Sequence, residues 1–133
     1  HAIDVSPSAV EEARCLAAAD GVRLDVRTAD LFALPAELRD VDLVVEHTCF
    51  CAIDPLRRDD YVDAVADALR PGGVLLGLFF VFVAEEGPPF GASEAELRYR
   101  FARPCDFELM ERPDASHPAR ADKDRLLLLR RRP

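Results

Sequence analysis

Hydrophobic and polar positions along the chain follow two alternating rhythms. His1-Ala2-Ile3-Asp4-Val5 is a short apolar run that ends in acid and reads as a strand. Ser6 then stands where a helix N-cap belongs, with Pro7 at the first helical position. Val10, Ala13, Leu16 and Ala17 recur at helical spacing until Gly21. Val22, Leu24 and Val26 alternate, which predicts a strand over residues 22–26 running into a loop that carries Asp30 and Phe32. Residues 41–45, Val-Asp-Leu-Val-Val, read as a buried strand. Asp54-Pro55 repeats the cap-plus-proline signal, and Tyr61, Val62, Val65, Ala68 and Leu69 make a helix face that Arg70-Pro71-Gly72-Gly73 closes. Residues 74–84 are apolar again. Ser93 with Glu96 three residues on is a capping box that opens another helix. Residues 107–112 and 125–131 are two final strands with no helical segment between them, which predicts an antiparallel hairpin.

Strands that alternate with helices define an α/β fold with a sheet covered on both faces. Such sheets place their sites beyond the carboxyl ends of the strands. The first strands end in Asp4, in Asp30, and in Glu46 with His47. A carboxylate fixed after a strand can accept hydrogen bonds from both hydroxyls of a ribose, and Asp4 stands where this is done. Asp30, past the neighbouring strand, is placed for the exocyclic amine of an adenine, with Leu31 or Phe32 against the base. Taken singly, either acid reads as a helix cap or a solvated loop residue. Two in register point to an adenosine cofactor. Nicotinamide dinucleotides use the same acid, and only the closing hairpin, by analogy of fold, favours methyl transfer over hydride transfer.

Length and composition narrow the classes. The chain has 133 residues, enough for one domain, and is 50% apolar and 32% charged, as soluble globular proteins are. Acids outnumber bases 25 to 17, which argues against a nucleic-acid partner, and the basic cluster of Arg130, Arg131 and Arg132 reads as a solvated strand end. The apolar run at 74–84 falls short of the roughly 20 residues that a membrane helix needs. Four irregularly spaced cysteines suit a reducing compartment, so a cytoplasmic location is expected. His47, Cys49 and Cys51, joined by Cys105 or His117, have the chemistry of a zinc site but not the usual spacing. They are expected to be packing residues, with no metal. Nothing in the sequence sets an oligomeric state.

The segments EHTCFCAIDPLRRDDY (46–61), RPGGVLLGLFF (70–80) and GPPFGAS (87–93) resemble the thiopurine S-methyltransferase-like family, which includes thiocyanate and halide methyltransferases. The resemblance runs from Asp4 to the last strand. It implies a Rossmann-like class I methyltransferase sheet with a C-terminal antiparallel hairpin. S-adenosylmethionine would be the cofactor and a small molecule, a sulfur or other soft anionic group, the acceptor, methylated by in-line displacement. It also implies that Asp4 binds the ribose, that Asp30 and Leu31 meet the adenine, and that His47 lies along the methionine part, where better known relatives carry arginine or tyrosine. Arg58 matches an arginine of the relatives and is the candidate for attracting an anionic acceptor, against the reading of a solvated first turn. Phe50 and Phe90 read either as walls of an acceptor pocket or as core. Positioning alone can drive such a transfer, so no obligatory acid or base is expected; His47 and Arg58 are the candidates for any catalytic role. The family's first strand and glycine-rich loop have no counterpart in the sequence, so residues 1–133 are expected to be the C-terminal part of a single methyltransferase domain. The rival reading is a degenerate binding module of the same fold without turnover.

Overall fold

The computed structural model describes every residue except Glu85. It divides into two compact units, His1–Leu38 and Arg39–Pro133. In the first, strand β1 (Ala2–Asp4) leads into helix α1 (Pro7–Ala19) and strand β2 (Val26–Thr28). The two strands pair in parallel, Ala2 opposite Val26 and Asp4 opposite Thr28. The Ser6 hydroxyl caps α1 by accepting from Ala9 N at 3.4 Å, and Pro7 opens the helix as the sequence predicts. Arg14 pins α1 to β2 by donating to the Val26 carbonyl at 2.9 Å, while Val10 is buried beneath the helix. The strand predicted over 22–26 instead begins at Val26. A ladder extends only as far as its partner, and β1 offers partners from Ala2 onward, so Val22 and Leu24 stay 58% and 41% exposed.

The second unit contains β3 (Val41–His47), α2 (Arg58–Ala68), β4 (Leu69–Phe80), α3 (Glu94–Phe101), β5 (Cys105–Glu111) and β6 (Asp124–Arg131). Its four-stranded sheet has the order β3-β4-β6-β5, with β3 and β4 parallel and the other pairs antiparallel. The predicted hairpin therefore forms, and β6 inserts between β5 and β4. β3 runs two residues beyond the predicted strand and takes in Glu46 and His47. Val41 faces Leu69 but Leu43 faces Val74, so the Arg-Pro-Gly-Gly segment bulges out of the ladder. Gly72, at φ 76°, supplies the left-handed conformation this requires, and a Cβ on Gly73 would lie 2.9 Å from the Arg70 carbonyl oxygen. β4 stops at Phe80, short of the predicted end, and Val83 is almost fully exposed.

Alternate residues of the central strands, Leu75, Phe79, Leu127 and Leu129, are buried, as are Tyr61, Val62 and Val65 of α2 and Leu97 and Phe101 of α3. Phe50 sits at the middle of this core, edge-on to Tyr61 at 5.5 Å and to Phe79 at 5.7 Å between ring centroids. The α/β class, with a mixed sheet ending in an antiparallel hairpin, is the one the sequence predicts. Among the described residues no helix is long and apolar enough to cross a membrane.

Candidate functional site

β1 and β2 run in the same direction, so Asp4, the last residue of β1, and Asp30, just past β2, stand at one end of one sheet. Asp4 is exposed, and its Oδ1 accepts from Ser6 N at 2.7 Å; its carbonyl accepts from Ala29 N at 3.0 Å, which carries the pairing one step past Thr28. Asp30 is also exposed and uses Oδ1 to accept from Phe32 N at 2.9 Å, capping the turn Leu31–Ala33. Leu31 and Phe32 are half-buried beside it. Each acid thus fills the local capping role that its sequence position suggested, with one oxygen.

In the second unit the chain leaves β3 through a tight turn built on Glu46. Its Oε1 accepts from Cys49 N at 2.6 Å and Phe50 N at 3.0 Å, and Thr48 takes φ 63° between them. The Thr48 hydroxyl donates to the His47 carbonyl at 2.6 Å, and His47 itself is exposed at the strand end. Glu46 is only 5% exposed and its Oε2 has no partner, so burial pushes its carboxyl up to about 7 despite the two amides and the nearby Arg120. The Cys51 thiol donates to the Thr48 carbonyl at 3.2 Å and is pushed up by burial and by Glu46; burial drives Cys105 up to about 11. Both thiols stay protonated at neutral pH, which suits packing better than metal ligation or nucleophilic attack. Among the described residues no three His, Cys, Asp or Glu side chains gather as a metal site.

Beyond the carboxyl ends of β3 and β4 lies a cavity of about 380 Å³ lined by Thr48, Cys51, Ala52, Phe80, Pro88, Pro89 and Arg120. The Arg120 guanidinium lies 4.7 Å over the Phe80 ring, with Nη2 2.7 Å from Oδ1 of the buried Asp124. Three sequence-derived candidates for this region stand elsewhere. Phe50 is 2% exposed and belongs to the aromatic core instead of the cavity wall. Arg58 is 1% exposed, because its guanidinium turns inward to Glu96 and to the Phe90 and Gly91 carbonyls. Phe90 is half-buried and donates its N–H to the Cys51 carbonyl at 2.7 Å, leaving Pro88 and Pro89 as the wall supplied by its loop. Sequence reasoning missed Arg120 and the buried state of Glu46. The one signal for Arg120 was His117-Pro118, a cap-plus-proline pair that opens the turn Pro118–Arg120 and fixes the arginine in what read as a plain hairpin connection.

The order strand, helix, parallel strand and closing antiparallel hairpin is shared with solved S-adenosylmethionine-dependent methyltransferases, so the fold is that of class I of these proteins. Within that class, a profile of the thiopurine S-methyltransferase family matches residues 1–131, and the chain belongs to this family. The thiopurine S-methyltransferase of Vibrio cholerae is 38% identical over 80 residues, 59% of this chain and 36% of that protein. Its Pseudomonas fluorescens counterpart is 33% identical over 94 residues, 68% of this chain and 43% of that protein. The chain thus spans well under half the length of these curated relatives. Among solved structures, the Burkholderia thailandensis 1,6-didemethyltoxoflavin-N1-methyltransferase, with 1,6-didemethyltoxoflavin and S-adenosylhomocysteine bound, superimposes with a TM-score of 0.72 at 19% identity, over 98% of this chain and 60% of that one.

Proposed function

We propose that the chain carries the cofactor and acceptor determinants of an S-adenosylmethionine-dependent methyltransferase acting on a small sulfur or other soft anionic acceptor. The observation that carries this reading is the pair Asp4 and Asp30 at the carboxyl end of two paired parallel strands, in a chain of this family. The residues present fit the adenosine part of the cofactor: two exposed carboxylates are acceptors for the ribose hydroxyls and the adenine amine, and Leu31 and Phe32 give an apolar flank. His47, exposed at the end of β3, is the group assigned to the methionine part. When bound, the cofactor supplies a methyl group already activated on a sulfonium. The protein then has only to hold the acceptor, and positioning of this kind is worth about 7–11 kcal/mol.

The cavity beside Arg120 is the acceptor site in this reading. Its walls are apolar apart from Thr48, the Cys51 thiol and a guanidinium, so it favours a soft anion over a strongly hydrated one. Arg120 replaces Arg58 as the anion partner. Leu43 and Val45, 51% and 68% exposed on the edge strand β3, support the further reading that these residues form part of one larger methyltransferase domain, because exposed apolar edges are ordinarily covered.

Incubation with labelled S-adenosylmethionine and a panel of thiols, thiocyanate, iodide and selenite-derived acceptors tests the proposal. Transfer is expected to at least one soft acceptor. Arg120→Lys keeps a charge beside Asp124 but loses the planar fork, and is expected to raise the KM of an anionic acceptor roughly tenfold, about 1.4 kcal/mol, with cofactor affinity unchanged. Cofactor binding without transfer to any acceptor would instead establish the binding module without turnover.

A further inference from the structure

Arg58 is buried, and although its Nε has no partner, its two terminal nitrogens bind groups more than 30 residues away in sequence. Nη1 donates to Glu96 Oε1 at 2.9 Å and Oε2 at 3.0 Å and to the Gly91 carbonyl at 3.0 Å, while Nη2 donates to the Phe90 carbonyl at 3.3 Å. The guanidinium lies 4.6 Å over the Phe50 ring. One cation at the start of α2 therefore ties two carbonyls of the 86–92 loop to a carboxylate of α3, on a floor of aromatic core.

Among the described residues, two backbone ties also hold the loop. Phe90 N donates to the Cys51 carbonyl at 2.7 Å, and Phe82 and Ala92 exchange two bonds of 3.1 Å. A Cβ on Gly91 would stand 2.7 Å from both Ala84 N and the Phe82 carbonyl oxygen, so the closure at this point admits only glycine. The same loop presents Pro88 and Pro89 to the cavity.

We propose that Arg58 is a positioning residue that latches the Pro88-Pro89 wall over the acceptor cavity, so that acceptor binding depends on it while cofactor binding does not. This rests on the acceptor reading of the cavity. A guanidinium suits the task because its two terminal nitrogens reach the carboxylate and both carbonyls at once, Nη1 serving Glu96 and Gly91 and Nη2 serving Phe90; an ammonium, as a point charge, keeps Glu96 company but cannot hold both carbonyls. Arg100 is the natural control. It also binds Glu96, at 2.9 Å, and it reaches Asp59 at 2.7 Å, but it makes no bond to the loop carbonyls.

Amide hydrogen exchange on Arg58→Lys and Arg100→Gln tests the latch without any turnover. Exchange at Phe90 and Ala92 is expected to accelerate roughly tenfold or more in Arg58→Lys, with the β4–β6 ladder unchanged, and Arg100→Gln is expected to leave the loop protected. In the acceptor assay, Arg58→Lys is expected to raise acceptor KM about tenfold at unchanged cofactor Kd, and Arg100→Gln to move neither. Unchanged exchange at Phe90 and Ala92 overturns the latch whatever the enzyme does. Accelerated exchange with an unchanged acceptor KM overturns the link to the cavity. A parent enzyme that transfers no methyl group overturns the acceptor reading, while the exchange result still decides the latch. Should Arg58→Lys not fold, Glu96→Gln, which weakens the same tie from the other side, is read in the same way.

Discussion

Phe50→Ala is expected to lower the free energy of unfolding by about 3–5 kcal/mol in denaturant titrations, while leaving the order of preference among acceptors as it was. The ring is 2% exposed and touches Tyr61, Phe79 and Phe101, so its removal opens a hole that three packed elements cannot close. It also removes the aromatic face beneath the Arg58 guanidinium. A residue of the cavity wall would behave in the opposite way, with a small loss of stability and a changed acceptor profile. A loss under about 1 kcal/mol together with altered selectivity would return Phe50 to the cavity.

Glu46→Gln is expected to make the protein more stable above neutral pH, by roughly 2–3 kcal/mol at pH 8, and to change little at pH 5. Burial raises the folded-state carboxyl from its ordinary value near 4.5 to about 7, so the folded protein holds a proton that the unfolded chain has lost. The sign follows. Below about pH 4.5 both states are protonated and the group costs nothing, whereas stability falls as the pH rises from there through 7. Glutamine imitates the protonated form and keeps an oxygen for the Cys49 and Phe50 amides. The groups that bear on the carboxyl are Arg120, which favours its charge, and the Cys51 and Tyr61 side chains, whose own ionisation it opposes. Thermal unfolding of both proteins between pH 4.5 and 8.5 reads this directly. Parallel curves for the two would mean that the Glu46 carboxyl titrates alike in the folded and the unfolded chain.

What the sequence made legible was local. Ser6, Asp54 and Ser93 cap turns or helices by bonds to amides two or three residues on, and such bonds depend only on short stretches of chain. The antiparallel hairpin was legible because nothing helical separates its strands. The strand placed at Val22 and Leu24 failed because alternation shows which residues can lie in a ladder, not where the partner begins. Arg58 failed for a related reason. Next to Arg57 on a helix start it looks like a surface charge, and its true partner, Glu96, lies 38 residues away. Even Ser93 and Glu96, which read as a reciprocal capping box, form only one half of it. Ser93 Oγ accepts from Glu96 N at 3.0 Å, while the Glu96 carboxylate turns to Arg58 and Arg100. Arg120 was hidden by the same distance effect, since what makes it a candidate is Phe80 beneath it and the proline wall opposite, none of them near it in the chain.

The claim on which the functional account depends is that the carboxylate of Asp4, at the end of β1, holds the ribose of the cofactor. Isothermal calorimetry of S-adenosylhomocysteine with the parent and Asp4→Asn tests it most directly. The asparagine keeps a side-chain oxygen for Ser6 N, so the local turn survives, and it removes only the charge and the second acceptor oxygen. Affinity is expected to fall about 10- to 100-fold, or roughly 1.5–3 kcal/mol, with the thermal midpoint of the unliganded protein unchanged. Equal dissociation constants for the two proteins would show that Asp4 does no more than cap the turn that leads into α1.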